Sequence, residues 1–155
     1  MTGKGGVGKS TIAAAIAFKT ASEKKRTLLV ELGDQSYFQT FFHLERVDYT
    51  PVTLSDHLSL ARWQVRDCLR EYILYLVPIE KIYTLFFDNL FMRALINVAP
   101  GLAEIAILGK ATGPLRKSGP PMSFDTIVID CHSTGHALAL FRAPRALGET
   151  FSIGP

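Results

Sequence analysis

The 155-residue chain is poor in cysteine, with only Cys68 and Cys131, and these lie far apart. Their separation follows no metal-ligand spacing, so a thiolate-bound zinc or iron–sulfur site has no support, and two isolated thiols fit a reducing compartment. Long apolar runs are also lacking. Stretches such as Tyr72 to Pro78 and Ile82 to Phe87 are kept short by the charges between and around them, whereas a membrane-spanning helix needs roughly 20 apolar residues. The opening residues show no charged start followed by an apolar stretch and a cleavage site, so a cytoplasmic location is expected. Charge of one sign is not concentrated. The net charge is +3, and the densest basic run, Lys24-Lys25-Arg26, is short enough to be a solvated helix end, so no nucleic-acid partner is expected. What remains is an ordinary globular composition, with 48% hydrophobic and 20% charged residues. A single domain over 1–155 is expected.

The hydrophobic pattern alternates between two periods. Ser10 to about Glu23 is Ala-rich, with Ile12, Ala13 and Ile16, and reads as a helix. Arg26–Leu32 is nearly continuous apolar sequence, the signature of a strand buried on both faces of a parallel sheet. Asp34 to Phe42 reads as a short helix with Asp34 as N-cap, and Pro51 points to loop or edge strand within Glu45–Leu60. From Ala61 to Ala99 the spacing is helical, and Pro100-Gly101 opens another helix. A helical insertion over about 61–112 is therefore expected. Thr112–Met122 reads as a loop, Phe124–Asp130 as a second buried strand, and the residues after it as a helix. The expected fold class is α/β, a three-layer P-loop NTPase fold with a mostly parallel sheet.

Gly3-Lys4-Gly5-Gly6-Val7-Gly8-Lys9-Ser10 matches G-x-x-x-x-G-K-[ST]. The glycines let backbone N–H groups converge on one point, and the helix that follows adds its unpaired N–H groups and its positive dipole end. Lys9 reaches phosphate oxygens as a point charge, Ser10 is placed to ligate Mg²⁺, and Thr11 stands next in line for an α-phosphate. ATP and Mg²⁺ are the expected ligands. Lys4 has two readings, a solvated bystander or a cation that acts in trans across a dimer interface, and spacing does not choose between them. Only Met1 and Thr2 precede the loop, so the strand that normally leads into it is expected to lie outside this sequence, and the chain to be an incomplete domain.

GKGGVGKST resembles the deviant Walker A of the MinD/ParA, nitrogenase iron protein and arsenical-pump ATPase superclass. FDTIVIDCHSTGHALALFRAP resembles the strand and switch II of the arsenical-pump-driving and tail-anchored-protein-targeting ATPases, with Asp130, Thr134, Gly135, His136, Leu138, Leu140 and Pro144 matching. The resemblance implies a Mg²⁺-dependent ATPase that acts as a homodimeric switch on a client or membrane protein. It also implies that Lys4 reaches the partner subunit's nucleotide, that Asp130 binds Mg²⁺ through water, that Gly135 lies near the γ-phosphate, and that His136 relays nucleotide state. A surface histidine is the competing reading of His136. Switch I departs from the family's Asp-Pro-Ala-His: the chain reads Leu32-Gly33-Asp34-Gln35-Ser36-Tyr37, and Asp34 is left either to orient the attacking water or to cap a helix. His132 receives no role. The family also continues past Pro155, where an adenine-contacting segment is expected. An alternative from a different class is a catalytically impaired interaction module, with Phe86, Phe87, Leu90 and Phe91 lining a client groove. Helical core is the plainer reading of those residues.

Overall fold

The computed structural model describes residues 6–76, 101–116, 119–131 and 134–151. The elements run α1 (Lys9–Ser22), β1 (Thr27–Leu32), α2 (Tyr37–Phe41), β2 (Val52–Ser55), β3 (Leu58–Trp63), α3 (Val65–Leu76), α4 (Leu102–Arg116), β4 (Thr126–Asp130) and α5 (Thr134–Phe151). They form an α/β architecture around a four-stranded sheet in the order β2-β3-β1-β4. The chain divides into two compact units, one of residues 1–64 with 122–137, the other of residues 65–121 with 138–155.

In the first unit, β1 pairs in parallel with β3 on one side and β4 on the other. Its first five residues are all buried, which explains the continuous apolar run. β2 is antiparallel to β3 at the edge of the sheet, just after Pro51, where a missing N–H is tolerated. α1 packs on the sheet through Ala13, Ala14, Ala17 and Ala21, all buried. The larger Ile12 and Ile16 face outward, 47% and 42% exposed. Methyl-sized side chains let the helix lie close to the strands. Those alanines share one core with Leu29, Phe38, Val47, Leu58, Leu60 and Val128. At the start of the two neighbouring strands, Arg26 donates to both carboxylate oxygens of Asp125, at 3.1 and 2.6 Å.

Two expectations are corrected here. Ala61, Arg62 and Trp63 are strand, not the start of a helix. β3 lies along the whole of β1, with Leu58 opposite Thr27 and Trp63 opposite Leu32, so sheet pairing prevails over a helical spacing that begins in earnest only at Val65. The N-cap of α2 is Ser36, whose Oγ accepts from the Gln39 N–H at 3.0 Å, rather than Asp34.

In the second unit, α3 packs on α4, and Lys110 donates to Glu71 at 2.5 Å. α4 runs through Gly113-Pro114, where a loop is expected from composition. Pro114 falls in the last turn, so it interrupts little of the helix, and packing against α3 outweighs the breaker signal. The phenylalanine-rich stretch 86–91 lies outside the described residues. No helix among the described residues is long and apolar enough to cross a membrane.

Candidate functional site

The carboxyl ends of β1 and β4 open beside the start of α1. In a parallel sheet this is where ligands bind, because the strands end together there and the helix N-termini point at the same space. A cavity of about 260 Å³ occupies it, lined by Lys9, Ser10, Glu31, Leu32, Gln35, Tyr37, Asp130 and Cys131.

One wall is the glycine loop and the strand end behind it. Gly6 and Gly8 have φ of 76° and 77°, a left-handed conformation that costs glycine nothing and other residues much more. A Cβ on either glycine would meet no atom within 4 Å, so it is the backbone angle that requires them, and the space around the loop is open. Gly8 is the N-cap of α1 and supplies no side-chain cap to the first-turn N–H groups. Ser10 Oγ donates to Asp130 Oδ2 at 2.5 Å across 120 residues of sequence. The other carboxylate oxygen, Asp130 Oδ1, is buried and has no hydrogen-bond partner among the described residues. Burial pushes the Cys131 thiol above its ordinary pKa, and the neighbouring Asp130 charge adds to the rise.

The opposite wall is the turn after β1. Glu31 is buried and reaches into this turn. Its Oε1 accepts from the N–H groups of Tyr37 at 2.7 Å and Phe38 at 3.0 Å, and its Oε2 accepts from Ser36 Oγ. From the other side, Arg62 donates to the Asp34 carbonyl at 2.6 Å, and Gln64 donates to Asp34 Oδ1 at 3.3 Å. Phe38 is fully buried and stacks on Phe42 at 5.6 Å, which anchors the far end of the turn.

The structure thus brings Lys9, Ser10 and Asp130 together around one cavity. Thr11 is exposed in the first turn of α1, Val7 is exposed in the loop, and neither lines the cavity. Asp34 is also exposed and absent from the lining; its carboxylate faces Gln64. Gly135 falls in the first turn of α5. Gly3, Lys4, Gly5 and His132 lie outside the described residues, and of the His136 side chain nothing is described. Sequence reasoning missed Glu31 and Gln35. The signal for Glu31 was present: a carboxylate inside the run TLLVEL, in a strand expected to be buried on both faces, must find donors.

A half-buried hydroxyl–carboxylate pair with one carboxylate oxygen unpartnered among the described residues, beside a lysine and a helix start with a glycine cap, is a donor set suited to a hard divalent cation and a polyphosphate. Comparison with known proteins points the same way. A family model described as anion-transporting ATPase matches residues 1–153. An arsenical pump-driving ATPase of Acidiphilium multivorum is 31% identical over 156 residues, which are 99% of this chain and 26% of that protein. An ATPase ASNA1 homologue of Cryptosporidium parvum is 30% identical over 97% of this chain and 40% of its own length. ATPase BagA of Mycobacterium tuberculosis is 27% identical over all of this chain and 48% of its own length. The chain spans about a quarter to about a half of the curated relatives it matches.

Proposed function

This chain belongs to the anion-transporting ATPase family, and on that premise we propose that it binds and hydrolyses ATP with Mg²⁺, as a nucleotide-driven switch. The observation that carries the reading is the Ser10–Asp130 pair at the mouth of the glycine loop, with Asp130 Oδ1 buried and unpartnered among the described residues. Ser10 and Asp130 are the residues that would hold Mg²⁺. Bound there, the ion neutralises charge on the β- and γ-phosphates. The loop N–H groups from Gly6 onward and Lys9 bind the same oxygens, and they do so without reorganising, because Gly6 and Gly8 already hold the backbone in its left-handed turns. The attacking water is oriented from the turn after β1, where Gln35 lines the cavity and Asp34 does not.

The finer parts of the reading rest on the resemblance to the family. Two copies associate around nucleotide, with Lys4 of each reaching the other's phosphates. Gly135 lies near the γ-phosphate, so that its loss is felt at the start of α5. A single ATPase domain over 1–155 with a helical insertion works in the cytoplasm on a client or membrane protein. Hydrolysis of ATP by the purified chain, with and without Mg²⁺, and sedimentation with and without a non-hydrolysable analogue test this. Mg²⁺-dependent turnover and a nucleotide-dependent dimer are expected. A chain that binds no nucleotide in the presence of Mg²⁺ sinks the proposal.

A further inference from the structure

The proposed chemistry leaves one buried acid of the cavity unused. Glu31 is 4% exposed and stands opposite Asp130 in the parallel register of β1 and β4. Both side chains line the same cavity, yet their surroundings differ. Among the described residues, Asp130 keeps one oxygen without a partner, whereas Glu31 accepts three hydrogen bonds, all from the three consecutive residues Ser36, Tyr37 and Phe38. Those bonds close the Gly33–Ser36 loop back onto the end of its own strand. They take up three of the roughly four lone-pair positions of the carboxylate. Outside the loop, Arg62 and Gln64 hold Asp34. Gln35 is the residue between the two grips, and it is the one that lines the cavity.

We propose that Glu31 is a positioning residue: its carboxylate pins the Gly33–Tyr37 turn to the end of β1, so that Gln35 is presented to the bound phosphates. The kinetic part of this inference rests on the ATPase reading above. A carboxylate beside a polyphosphate opposes binding through its charge. Its removal therefore weakens turnover through geometry alone, and the signature is a fall in kcat without a rise in KM.

The test compares the intact chain with Glu31→Ala and Glu31→Gln. The readouts are steady-state hydrolysis of MgATP and amide hydrogen exchange at Tyr37 and Phe38 in nucleotide-free protein. Glu31→Ala is expected to lower kcat about tenfold to a hundredfold, the scale of a misplaced reacting group, with KM unchanged or lower. Exchange at both amides accelerates in the same variant. Glu31→Gln restores kcat to within about threefold of the parent and restores protection, because its amide oxygen still accepts from the two N–H groups and its NH₂ donates to Ser36 Oγ. Parental kcat in Glu31→Ala overturns the proposal. So does a Glu31→Gln variant with protected amides and a kcat that has collapsed, since the charge would then act directly. Should Glu31→Ala fail to fold, the Glu31→Gln arm decides by the same criteria. If the parent chain hydrolyses no ATP, the ATPase reading has failed, and exchange judges the pin alone. Rapid exchange at Tyr37 and Phe38 in the parent then overturns it, and slow exchange sustains it.

Discussion

The two walls of the cavity use their polar groups in opposite ways. On the wall that carries Gly8 and Asp130, the N-cap of α1 is a glycine with no side chain to offer, and Asp130 keeps a buried oxygen without a partner among the described residues. On the wall built from Glu31–Tyr37, Glu31 accepts three hydrogen bonds and Ser36 both donates to it and caps α2. Buried polar atoms without partners are costly, so Asp130 Oδ1 is the reason the proposed function places the ligand on this side of the cavity. The saturated wall is scaffold that aims. Two acids opposite each other in one sheet register, Glu31 and Asp130, differ in this respect and only there does their chemistry diverge.

The contrast is broken most severely from the open wall. Lys9→Ala is expected to cut hydrolysis at least about a hundredfold, the scale of losing one donor to a developing charge, while circular dichroism shows an intact fold. Asp130→Asn comes next: the Mg²⁺ concentration that gives half-maximal rate rises about tenfold to a hundredfold, and an unchanged Mg²⁺ dependence would remove Asp130 from the metal site. On the saturated wall, away from the Glu31 carboxylate itself, the loss appears as stability. Ser36→Ala deletes an N-cap, costing about 0.5–2 kcal/mol, which calorimetry reads as a Tm lowered by several degrees while the KM for MgATP holds. Asp34→Ala sharpens the comparison by its small effect: kcat stays within about threefold, as for an ordinary exposed site. A larger fall returns the water-orienting role to Asp34. The smallest effect lies away from both walls. Hydrogen bonds from Arg26 hold the Asp125 carboxyl down at about 2, against an ordinary 3.8. A depressed carboxylate stabilises the fold above its unfolded value and ceases to do so as pH falls through its folded one. The Tm gap between the parent and Asp125→Asn is therefore expected to be present at pH 6 and to close between about pH 4 and pH 2.

Much of this site could be read from the chain because its determinants are local. The glycine spacing states where left-handed backbone is required, and Gly6 and Gly8 adopt it. The apolar runs ending at Leu32 and Asp130 state where parallel strands stop, but only β1 is buried as expected; β4, last in the sheet order, is half-buried except at Val128. The parts that could not be read depend on partners distant in sequence. LSLARW becomes a strand because β1 offers it an edge; on its own, Trp63 fits a helical stripe equally well. Asp34 follows the strand and looks available, but Arg62 and Gln64 turn it outward. α4 passes through Gly113-Pro114 because α3 lies against it, a contact that composition does not announce.

The alanine face of α1 acts as a gauge. Four methyl groups, at Ala13, Ala14, Ala17 and Ala21, are the buried side chains that α1 itself puts between its backbone and the strand side chains of Leu29, Leu58, Leu60 and Val128, and Ser10 sits at the near end of that same helix. The 2.5 Å reach from Ser10 to Asp130 is thereby a thickness, set one turn and more away by the smallest side chain that has a Cβ. A valine at position 13 or 17 would leave every residue of the cavity in place in the sequence and still lift the hydroxyl off the carboxylate it is measured against.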